Sequence, residues 1–442
     1  MVLDGMVQSG STCLRRMAEG DEATEIRFGR LLRNERVTVE RIVAGGAEAT
    51  ARAVAGCHVL LFQDTSEFNF RTSEGHRRGL GAIGKGVGRG ALLHAMIAAD
   101  AEHGDVLGLA GAQVWTRPEP VAGASKSKKK RKKRRRPADE KEWRRWVETP
   151  QAAKPVLAAA DMVTVVSDSE ADGYRLWAEV PDSRTHVLGR AYHDRKLAGG
   201  GTLKTAARQW KVLGRRHLTI REREDRPQRE ADLELRAGSV TILRPQECRD
   251  LPKQLTLTLI ELSEPAPPAG AEPVSWHLLT THSPADADAA WRIVDWYRQR
   301  WTIEQFFRTL KKQGLQVEDS QLETAERLLK LLAIAARAAV VIMQLTQARD
   351  GNSSLAAALV FSPAEIATLE AVNASSYSAP GRPRPNPHPP LSLPWASWIV
   401  ARLGGWGGRP KARPPGPITF KHGLDTLQRM AAGWALRDKY TP

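Results

Sequence analysis

Short apolar runs that end beside an acidic residue recur in the first half of the chain. Residues 59–62 are continuously apolar and run up to Asp64, a pattern typical of a buried strand. Residues 162–166 repeat this design and run up to Asp168. If the two strands are neighbours in one sheet, these acids lie at adjacent points on one edge, and their carboxylates can act together.

Two more apolar runs, residues 92–99 and 106–115, are separated by a polar connection that contains Gly104. This arrangement predicts a hairpin beside the first strand. Residues 190–281 instead contain segments that alternate apolar and polar positions, such as residues 255–259. Alternation with a period of two predicts a mainly β insertion.

Helical patterns fill most of the remaining chain. Residues 283–286 (Ser-Pro-Ala-Asp) form a helix-start signal, and the helix that follows is predicted to run past Lys311. A second long helix is predicted at residues 324–349. Seven prolines in residues 380–394 exclude an uninterrupted helix or a central strand, which predicts a linker before short C-terminal helices at about 395–403 and 422–436.

These patterns predict six consecutive units. In chain order they are an N-terminal helical segment (1–55), the first part of a catalytic domain (56–189), a β-rich insertion (190–281), the catalytic helix with the remainder of that domain (282–350), a linker that is proline-rich at its end (351–394) and a C-terminal helical region (395–442). A chain of 442 residues is long enough for such an organisation.

The net charge of +16 indicates a polyanionic partner, because Lys and Arg displace counterions from nucleic acid. Residues 126–136 hold ten basic side chains, and 16 less 10 leaves +6 for the rest of the chain. This basic run is open to three interpretations: non-specific DNA contact, a targeting-like signal or a solvated loop. The charge of the remainder still favours nucleic acid.

Three isolated cysteines exclude a disulfide framework and a cysteine-type zinc site, and they fit a reducing cytoplasm. The N-terminus lacks a basic segment followed by an apolar core. The apolar stretch 328–343 is interrupted by Lys330 and Arg337. We therefore expect a soluble cytoplasmic protein with no membrane partner.

A third acid, Glu304, is predicted on a helix with basic neighbours. Tyr297, Arg300, Glu304, Arg308 and Lys311 lie within about 80° of one helical face. Three carboxylates from separate elements are the ligand set that two-metal phosphoryl transfer requires, because hard divalent cations bind oxygen. The basic members of the face would then contact phosphates. The same spacing is also typical of a solvated ion-pair network, so spacing alone leaves both interpretations open.

Three blocks of sequence resemble the DDE transposases of bacterial insertion sequences, in the insertion-sequence-four group that includes the transposon-five transposase. Residues 63–66 (Gln-Asp-Thr-Ser) are similar to the first-acid motif, and residues 167–172 (Ser-Asp-Ser-Glu-Ala-Asp) to the second. The signature of the group, Y-R-E-K with fixed spacing, is matched by Tyr297, Arg300, Glu304 and Lys311. The likeness covers roughly residues 25–436.

The resemblance implies an α/β fold with a ribonuclease-H-like, retroviral-integrase-like sheet that carries Asp64 and Asp168. The β-rich insertion would interrupt this domain before the helix of Glu304, and a helical region would follow. The three acids would be both catalytic and metal-binding, with two Mg²⁺ ions per site and Mn²⁺ as a substitute. The implied reaction is cut-and-paste transposition by 3′ nicking, hairpin formation, hairpin opening and strand transfer.

The resemblance also implies contacts with DNA near a flipped base. Trp276 matches a tryptophan that stacks on this base, and stacking contributes about 1–3 kcal/mol. Arg190 aligns with a DNA-contacting arginine. From sequence alone, Trp276 is equally typical of a core indole and Arg190 of a surface charge. Together with the helix face, the candidate DNA contacts are Arg190, Trp276, Tyr297, Arg300, Arg308 and Lys311.

The implied partners are double-stranded DNA with inverted repeats at transposon ends, target DNA, and a second copy of the chain. The homodimer would form on paired ends at the nucleoid, with residues 395–436 at its interface. Only 63 residues precede Asp64, so residues 1–55 are expected to be a shortened form of the helical DNA-binding region of relatives. Two alternatives stay open: an inactive DNA-binding or inhibitor derivative of a transposase, and a metal-dependent nuclease on the same fold.

Overall fold

The computed structural model describes most of the chain, and it forms a ten-stranded sheet with helices on both faces. The described residues are 2–70, 79–84, 88–118, 142–220, 228–311, 314–349, 351, 353–376, 385–408 and 414–440. The basic run 126–136 lies outside them, so its interpretations remain predictions.

The first half of the sheet is built from the apolar runs identified in the sequence. The strands are β1 (His58–Asn69), β2 (Gly81–Ile83), β3 (Gly88–Asp100), β4 (Val106–Trp115), β5 (Met162–Ser167) and β6 (Thr185–Arg190). Strand β3 pairs antiparallel with β1, β2 and β4, so the predicted hairpin is confirmed. Strands β1, β5 and β6 are parallel neighbours. The spatial order of the five long strands is therefore β4-β3-β1-β5-β6.

Four antiparallel strands continue the same sheet beyond β6. They are β7 (Gly214–Ile220), β8 (Arg229–Leu243), β9 (Gln254–Ser263) and β10 (Ser275–Thr280), in the spatial order β10-β9-β8-β7. Strand β10 joins them to the first half because Leu278 pairs with Arg190 and Thr280 pairs with Leu188. Residues 190–281 are thus mainly β, and their strands extend one sheet rather than forming a second one.

Each face of the sheet carries its own apolar core, because successive side chains of a strand point to opposite sides. On one face, Phe62 packs in a core with Ile303 and Phe306. On the other face, Leu61 packs in a core with Trp146. The first core is covered by α9 (Ala287–Arg298), α10 (Trp301–Lys311) and α11 (Ala325–Arg349), and the second by α6 (Arg145–Ala153) and α7 (Tyr174–Glu179), with the short α8 (Leu203–Ala206) nearby.

The N-terminal segment is helical as predicted, and it packs on α11. Its helices are α1 (Val2–Ser9), α2 (Leu14–Met17), α3 (Glu22–Arg33), α4 (Val39–Ala44) and α5 (Ala47–Ala53). The Lys330 ammonium donates to the carbonyls of Leu32 (3.2 Å) and Asn34 (3.0 Å) at the end of α3. The guanidinium of Arg337 donates to carbonyls at the end of α4. Lys330 and Arg337, the two charged residues of this apolar stretch, therefore bind carbonyl groups at the C-terminal ends of α3 and α4.

Helix α11 is long and apolar enough to cross a membrane by length and composition alone. In this structure, 78% of its most apolar window is buried inside the protein. Its Leu328, Leu331, Ala335 and Ala339 are fully buried in the core beneath α10. The helix therefore serves as the central core helix of this fold.

The C-terminal region differs from the sequence prediction in two ways. Helix α12 (Pro363–Ser376) lies within residues 351–394, where a linker was predicted, so that prediction is wrong over these residues. Helix α13 (Leu393–Leu403) agrees with its prediction, whereas α14 (Pro417–Tyr440) is longer than expected.

The apolar faces of α13 and α14 are already covered within the chain. Trp395, Ile399, Phe420 and Leu427 share a core with Leu345 of α11. At the crossing of the two helices, a Cβ on Gly423 would lie only 1.8 Å from the Val400 carbonyl, so glycine is required there. The apolar faces of α13 and α14 therefore pack within the subunit, and a dimer interface at residues 395–436 stays a prediction.

Candidate active site

The parallel pairing of β1 and β5 brings Asp64 and Asp168 to equivalent positions. The last pair of this ladder joins Phe62 to Val166, and each acid stands two residues further along its strand. Strand β5 ends at Ser167, but β1 continues to Asn69 because β3 still pairs with it. The apolar run predicts Asp64 at the end of its strand. In the structure, Asp64 lies inside β1 instead. Asp168 follows its strand as predicted.

The two aspartates repel each other in a partly buried site. Burial and then the carboxylate of Asp168 raise the pKa of Asp64 to about 7. Asp64 Oδ1 accepts a hydrogen bond of 2.7 Å from the amide of Thr65, and Asp168 Oδ1 accepts one of 2.8 Å from the amide of Glu170. Burial and then Asp168 also raise the pKa of Glu170. Negative charge is thus concentrated at the edge where β5 ends.

A single straight helix from residue 284 past Lys311 was predicted, and this prediction is wrong. Helix α9 ends at Arg298, and α10 begins at Trp301. Between them the amide of Arg300 bonds to the carbonyl of Tyr297 (3.0 Å), a tighter turn than in an α-helix. Tyr297 consequently lies on α9, whereas Glu304 lies on α10. The five residues of the predicted stripe do not share one helical face.

Arg300 connects the third acid to the aspartates. Its guanidinium donates from Nη2 to Glu304 Oε1 at 2.6 Å, and its side chain is only 17% exposed. Burial opposes the charge of Arg300, but Tyr297, Glu304 and Asp168 together outweigh it and raise its pKa. Arg300 also lowers the pKa of Asp64, although it offsets only part of the rise. The guanidinium therefore binds Glu304 directly and lies within electrostatic reach of the aspartate pair.

The donor types at this site fit a divalent cation. Carboxylate oxygens are the ligands that Mg²⁺ and Mn²⁺ prefer, and two partly buried carboxylates that repel each other are stabilised by a cation. Among the residues that the structure describes, no group of three or more His, Cys, Asp or Glu side chains is close enough to hold a metal ion. The structure thus brings Asp64 and Asp168 together, while Glu304 is held by Arg300.

Trp276 and Arg190 lie on neighbouring strands at the edge of a cleft. The ring of Trp276 meets the ring of Tyr297 edge-on, with centroids 5.4 Å apart. Arg190 is exposed, and its guanidinium donates to the carbonyl of Ser275 at 3.3 Å. The cleft has a volume of about 1130 Å³, and its lining includes Arg190, Lys204, Trp276, Arg298, Trp301 and Gln305. The three acids are not part of this lining, although Gln305, which follows Glu304 on α10, is.

The other two basic residues of the predicted stripe lie further along α10, on the same helix as Glu304. Arg308 is exposed on α10. The ammonium of Lys311 lies 5.0 Å from the centre of the Phe68 ring, four residues beyond Asp64 on β1. The candidate DNA contacts therefore form two groups, one beside the cleft and one along the outer part of α10 and β1.

Asp172 is a site residue to which sequence reasoning gave no role, although it closes the second quoted motif. Its carboxylate is 1% exposed and accepts from Arg195 Nη2 at 2.6 Å. It also accepts from the amides of Tyr192 (2.8 Å) and His193 (2.9 Å). Asp172 thereby fixes the turn that follows Arg190. The signal in the sequence was the spacing of Asp172, which is an acid four residues after Asp168.

Two aspartates thus lie in or directly after adjacent parallel strands, a glutamate lies on a helix of the core on one face of the sheet, and a cleft with basic and aromatic side chains opens on the same sheet. Residues 124–341 match the family model described as Transposase DDE domain, which supports a DDE transposase. The matched range includes Asp168 and Glu304, whereas Asp64 precedes it.

A solved structure resembles the chain as well. It is the cryo-EM structure of the piggyBac transposase synaptic complex with hairpin DNA, with a TM-score of 0.39 and 7% sequence identity. The alignment covers 89% of this chain and 57% of that chain, so this protein spans little more than half the length of that relative.

Proposed function

We propose that this protein is a cut-and-paste DNA transposase of the insertion-sequence-four group, in which Asp64, Asp168 and Glu304 are the catalytic acids. The observation that carries the proposal is the aspartate pair on β1 and β5, linked through Arg300 to Glu304, in a chain that matches the Transposase DDE domain. The strand order β4-β3-β1-β5-β6, with β1, β5 and β6 parallel, supports a ribonuclease-H-like catalytic core.

The proposed cycle consists of four phosphoryl transfers. Water first breaks one strand at the transposon end and leaves a 3′ hydroxyl. That hydroxyl attacks the opposite strand, so that a hairpin forms and the flanking DNA leaves. A second water opens the hairpin, and the regenerated 3′ hydroxyl then joins a target strand while a target 3′ hydroxyl leaves. Bound Mg²⁺ or Mn²⁺, two ions held by the three acids, would activate the attacking oxygen and stabilise the leaving one.

The side chains around the acids have separate tasks in this proposal. In this proposal the Glu304 carboxylate gives up its bond to Arg300 when it acts with the aspartates, and the guanidinium then becomes available to a DNA phosphate. Arginine suits this exchange because it binds carboxylate and phosphate in the same planar geometry. Trp276, supported by the Tyr297 ring, would stack on an extruded base, and Arg190 would hold the backbone at the cleft.

The proposed partners are transposon-end DNA, target DNA and a second copy of the chain at paired ends in the bacterial nucleoid. Because the apolar faces of α13 and α14 are covered within the subunit, a dimer would use other surfaces of the C-terminal region or the DNA itself. Residues 1–55 pack on α11, so contact with the ends would come from their exposed side.

The proposal is tested with DNA that carries the inverted repeats flanking the gene. Purified protein with Mg²⁺ should give nicked, hairpinned and excised products, followed by joining to target DNA. Asp64→Asn, Asp168→Asn and Glu304→Gln should each abolish these products. Asp288→Asn, an exposed acid on α9, is the matched control and should retain them.

Three results would contradict parts of the proposal. Full cleavage by any of the three acid variants would exclude that acid from catalysis. Cleavage without joining would identify a nuclease. Binding to the ends without any cleavage would identify an inactive DNA-binding derivative.

A further inference from the structure

A buried histidine lies behind the first catalytic acid, on the opposite face of the sheet. His94 on β3 is the ladder partner of Thr65 on β1, and its side chain is completely buried. Asp64 points to the face covered by α10, whereas Gln63 and Thr65 point to the face covered by α6, since side chains alternate along the strand. His94 shares this second face, where its ring meets Trp146 edge-on at 5.0 Å.

The His94 ring binds the side chains on both sides of Asp64. Its Nδ1 lies 2.8 Å from Thr65 Oγ1, and its Nε2 lies 3.3 Å from Gln63 Oε1. The amide of Gln63 in turn donates from Nε2 to the carbonyl of Trp146 at 3.3 Å. This last bond fixes the orientation of the Gln63 amide, because a carbonyl accepts only from the NH₂ group.

The bonding pattern determines which ring nitrogen carries the proton. Burial lowers the pKa of His94 to about 3, so the ring is neutral at physiological pH. Gln63 Oε1 can only accept, so Nε2 of His94 carries the hydrogen and donates it. Nδ1 is then the acceptor for the Thr65 hydroxyl. Both ring nitrogens are thus satisfied, which a buried imidazole requires.

This bridge acts at the point where β1 loses one of its two neighbours. The β1–β5 ladder ends at the pair Phe62–Val166, so the backbone at residue 64 is paired on the β3 side alone. The side chain of Asp64 is also repelled by Asp168. A strand segment with one ladder and a repelled carboxylate needs additional support to hold its geometry. The bonds from His94 to Gln63 and Thr65 provide that support from the face of the sheet that α6 covers.

We propose that His94 is a positioning residue that holds Asp64 in place for a divalent cation. The proposal rests on the proposed function, because it assumes that Asp64 is a metal ligand. Residues that orient metal ligands from the next layer typically change metal affinity or activity by about 10-fold to 100-fold when they are replaced. Such residues usually bond to the metal ligand itself. His94 instead bonds to Gln63 and Thr65, and it acts on Asp64 through the backbone that these residues share with it.

The test compares variants of the full-length protein by calorimetric titration with Mn²⁺ in the absence of DNA. His94→Leu removes both bonds at similar volume and should weaken Mn²⁺ binding by about 10-fold or more. His94→Gln retains one donor and one acceptor and should recover most of the affinity. Thr65→Val removes a single bond and should cause a smaller loss in the same direction. If His94→Leu does not fold, Thr65→Val and His94→Gln carry the test.

Thr164→Val is the matched control, because it removes an equivalent threonine–histidine bond from the same sheet. Thr164 lies in the middle of β5, and its Oγ1 is 2.8 Å from Nε2 of both His58 and His282, so the substitution removes two such contacts. This variant should lower the melting temperature but leave Mn²⁺ affinity unchanged. A purely structural role of His94 would give the same result for His94→Leu and would overturn the proposal.

Asp64→Asn separates this proposal from the proposed function. If wild-type protein binds Mn²⁺ and Asp64→Asn does not, the site is a metal site whether or not transposon ends are cleaved. Normal Mn²⁺ binding by folded His94→Leu or Thr65→Val would then refute the role of His94 alone. Mn²⁺ binding that is absent in the wild type, or unaffected by Asp64→Asn, would refute it as well.

Discussion

The guanidinium of Arg300 donates a hydrogen bond of 2.6 Å to Glu304, and at the same time it lies within electrostatic reach of Asp168. One partly buried arginine thus binds the helix acid and balances part of the charge of the strand acids. In the proposed mechanism this arginine passes from a carboxylate to a phosphate when DNA binds.

Arg300→Lys should test this exchange. Lysine keeps the positive charge but cannot bind a carboxylate or phosphate through two parallel bonds. We expect DNA affinity to fall by less than 10-fold, because the charge is retained, and cleavage to fall by about 100-fold or more. Single-turnover cleavage and filter binding measure the two effects separately. Equal losses in binding and cleavage would contradict a role in the transition state.

Asp64→Asn should stabilise the metal-free protein near neutral pH. The pKa of Asp64 is raised to about 7 in the folded state, so its contribution to stability is present below pH 4 and is lost as pH rises towards 7. The difference is on the order of 4 kcal/mol. Urea unfolding of both proteins from pH 4 to 8 with a chelator measures it. Parallel pH curves for the two proteins would contradict the prediction.

A histidine cluster at the other end of the parallel strands should give the opposite pH dependence. His282 stacks on His186 with ring centroids 4.0 Å apart, and it lies near His58. Burial and neighbouring histidines lower the pKa of His282 to about 3 and that of His58 to about 4, and burial also lowers that of His186. Asp100 and Asp182 offset only part of these shifts.

These lowered pKa values make the folded state less able than the unfolded state to bind protons. The contribution of the cluster to the free energy of unfolding should be fully present above pH 6.5. It should decrease as the pH falls from 6.5 to 4. His282→Asn should reduce this pH dependence, whereas His422→Asn, at an exposed position of α14, should leave it unchanged. An unchanged slope in the His282 variant, measured by urea unfolding, would count against the cluster.

Trp276→Ala should weaken binding to DNA ends that contain an extruded base by about 5-fold to 150-fold, which corresponds to 1–3 kcal/mol of stacking. Trp276→Phe should retain much of the affinity. A 2-aminopurine at the extruded position reports stacking directly, because its fluorescence is quenched by the indole. Unchanged quenching in the alanine variant would exclude Trp276 as the stacking residue.

Deletion of residues 126–136 should flatten the salt dependence of DNA binding. Each phosphate contact that is lost lowers the slope of log K against log salt by about 0.9. The cleavage pattern at the ends should stay the same, because the run carries no acid of the proposed site. A deletion variant with the wild-type slope would favour the targeting or solvated-loop interpretations.

Local patterns in the sequence were sufficient for much of this protein. The apolar runs before Asp64 and Asp168 predicted β1 and β5, and the family resemblance of the spacing around Glu304 predicted this residue as the third acid. Strands, helix starts and short motifs are encoded by neighbouring residues, so they can be read along the chain.

Only the tertiary structure decided how these parts meet. The pairing of β10 with β6 depends on contacts between residues about 90 positions apart, and it turns the predicted insertion into a continuation of the sheet. The break between α9 and α10 has no proline or glycine to announce it, yet it places Tyr297 and Glu304 on different helices. The bond from Arg300 to Glu304 and the bridge of His94 beneath Asp64 likewise depend on packing in three dimensions. Sequence spacing determines which side chains are available, whereas register and burial determine which of them touch.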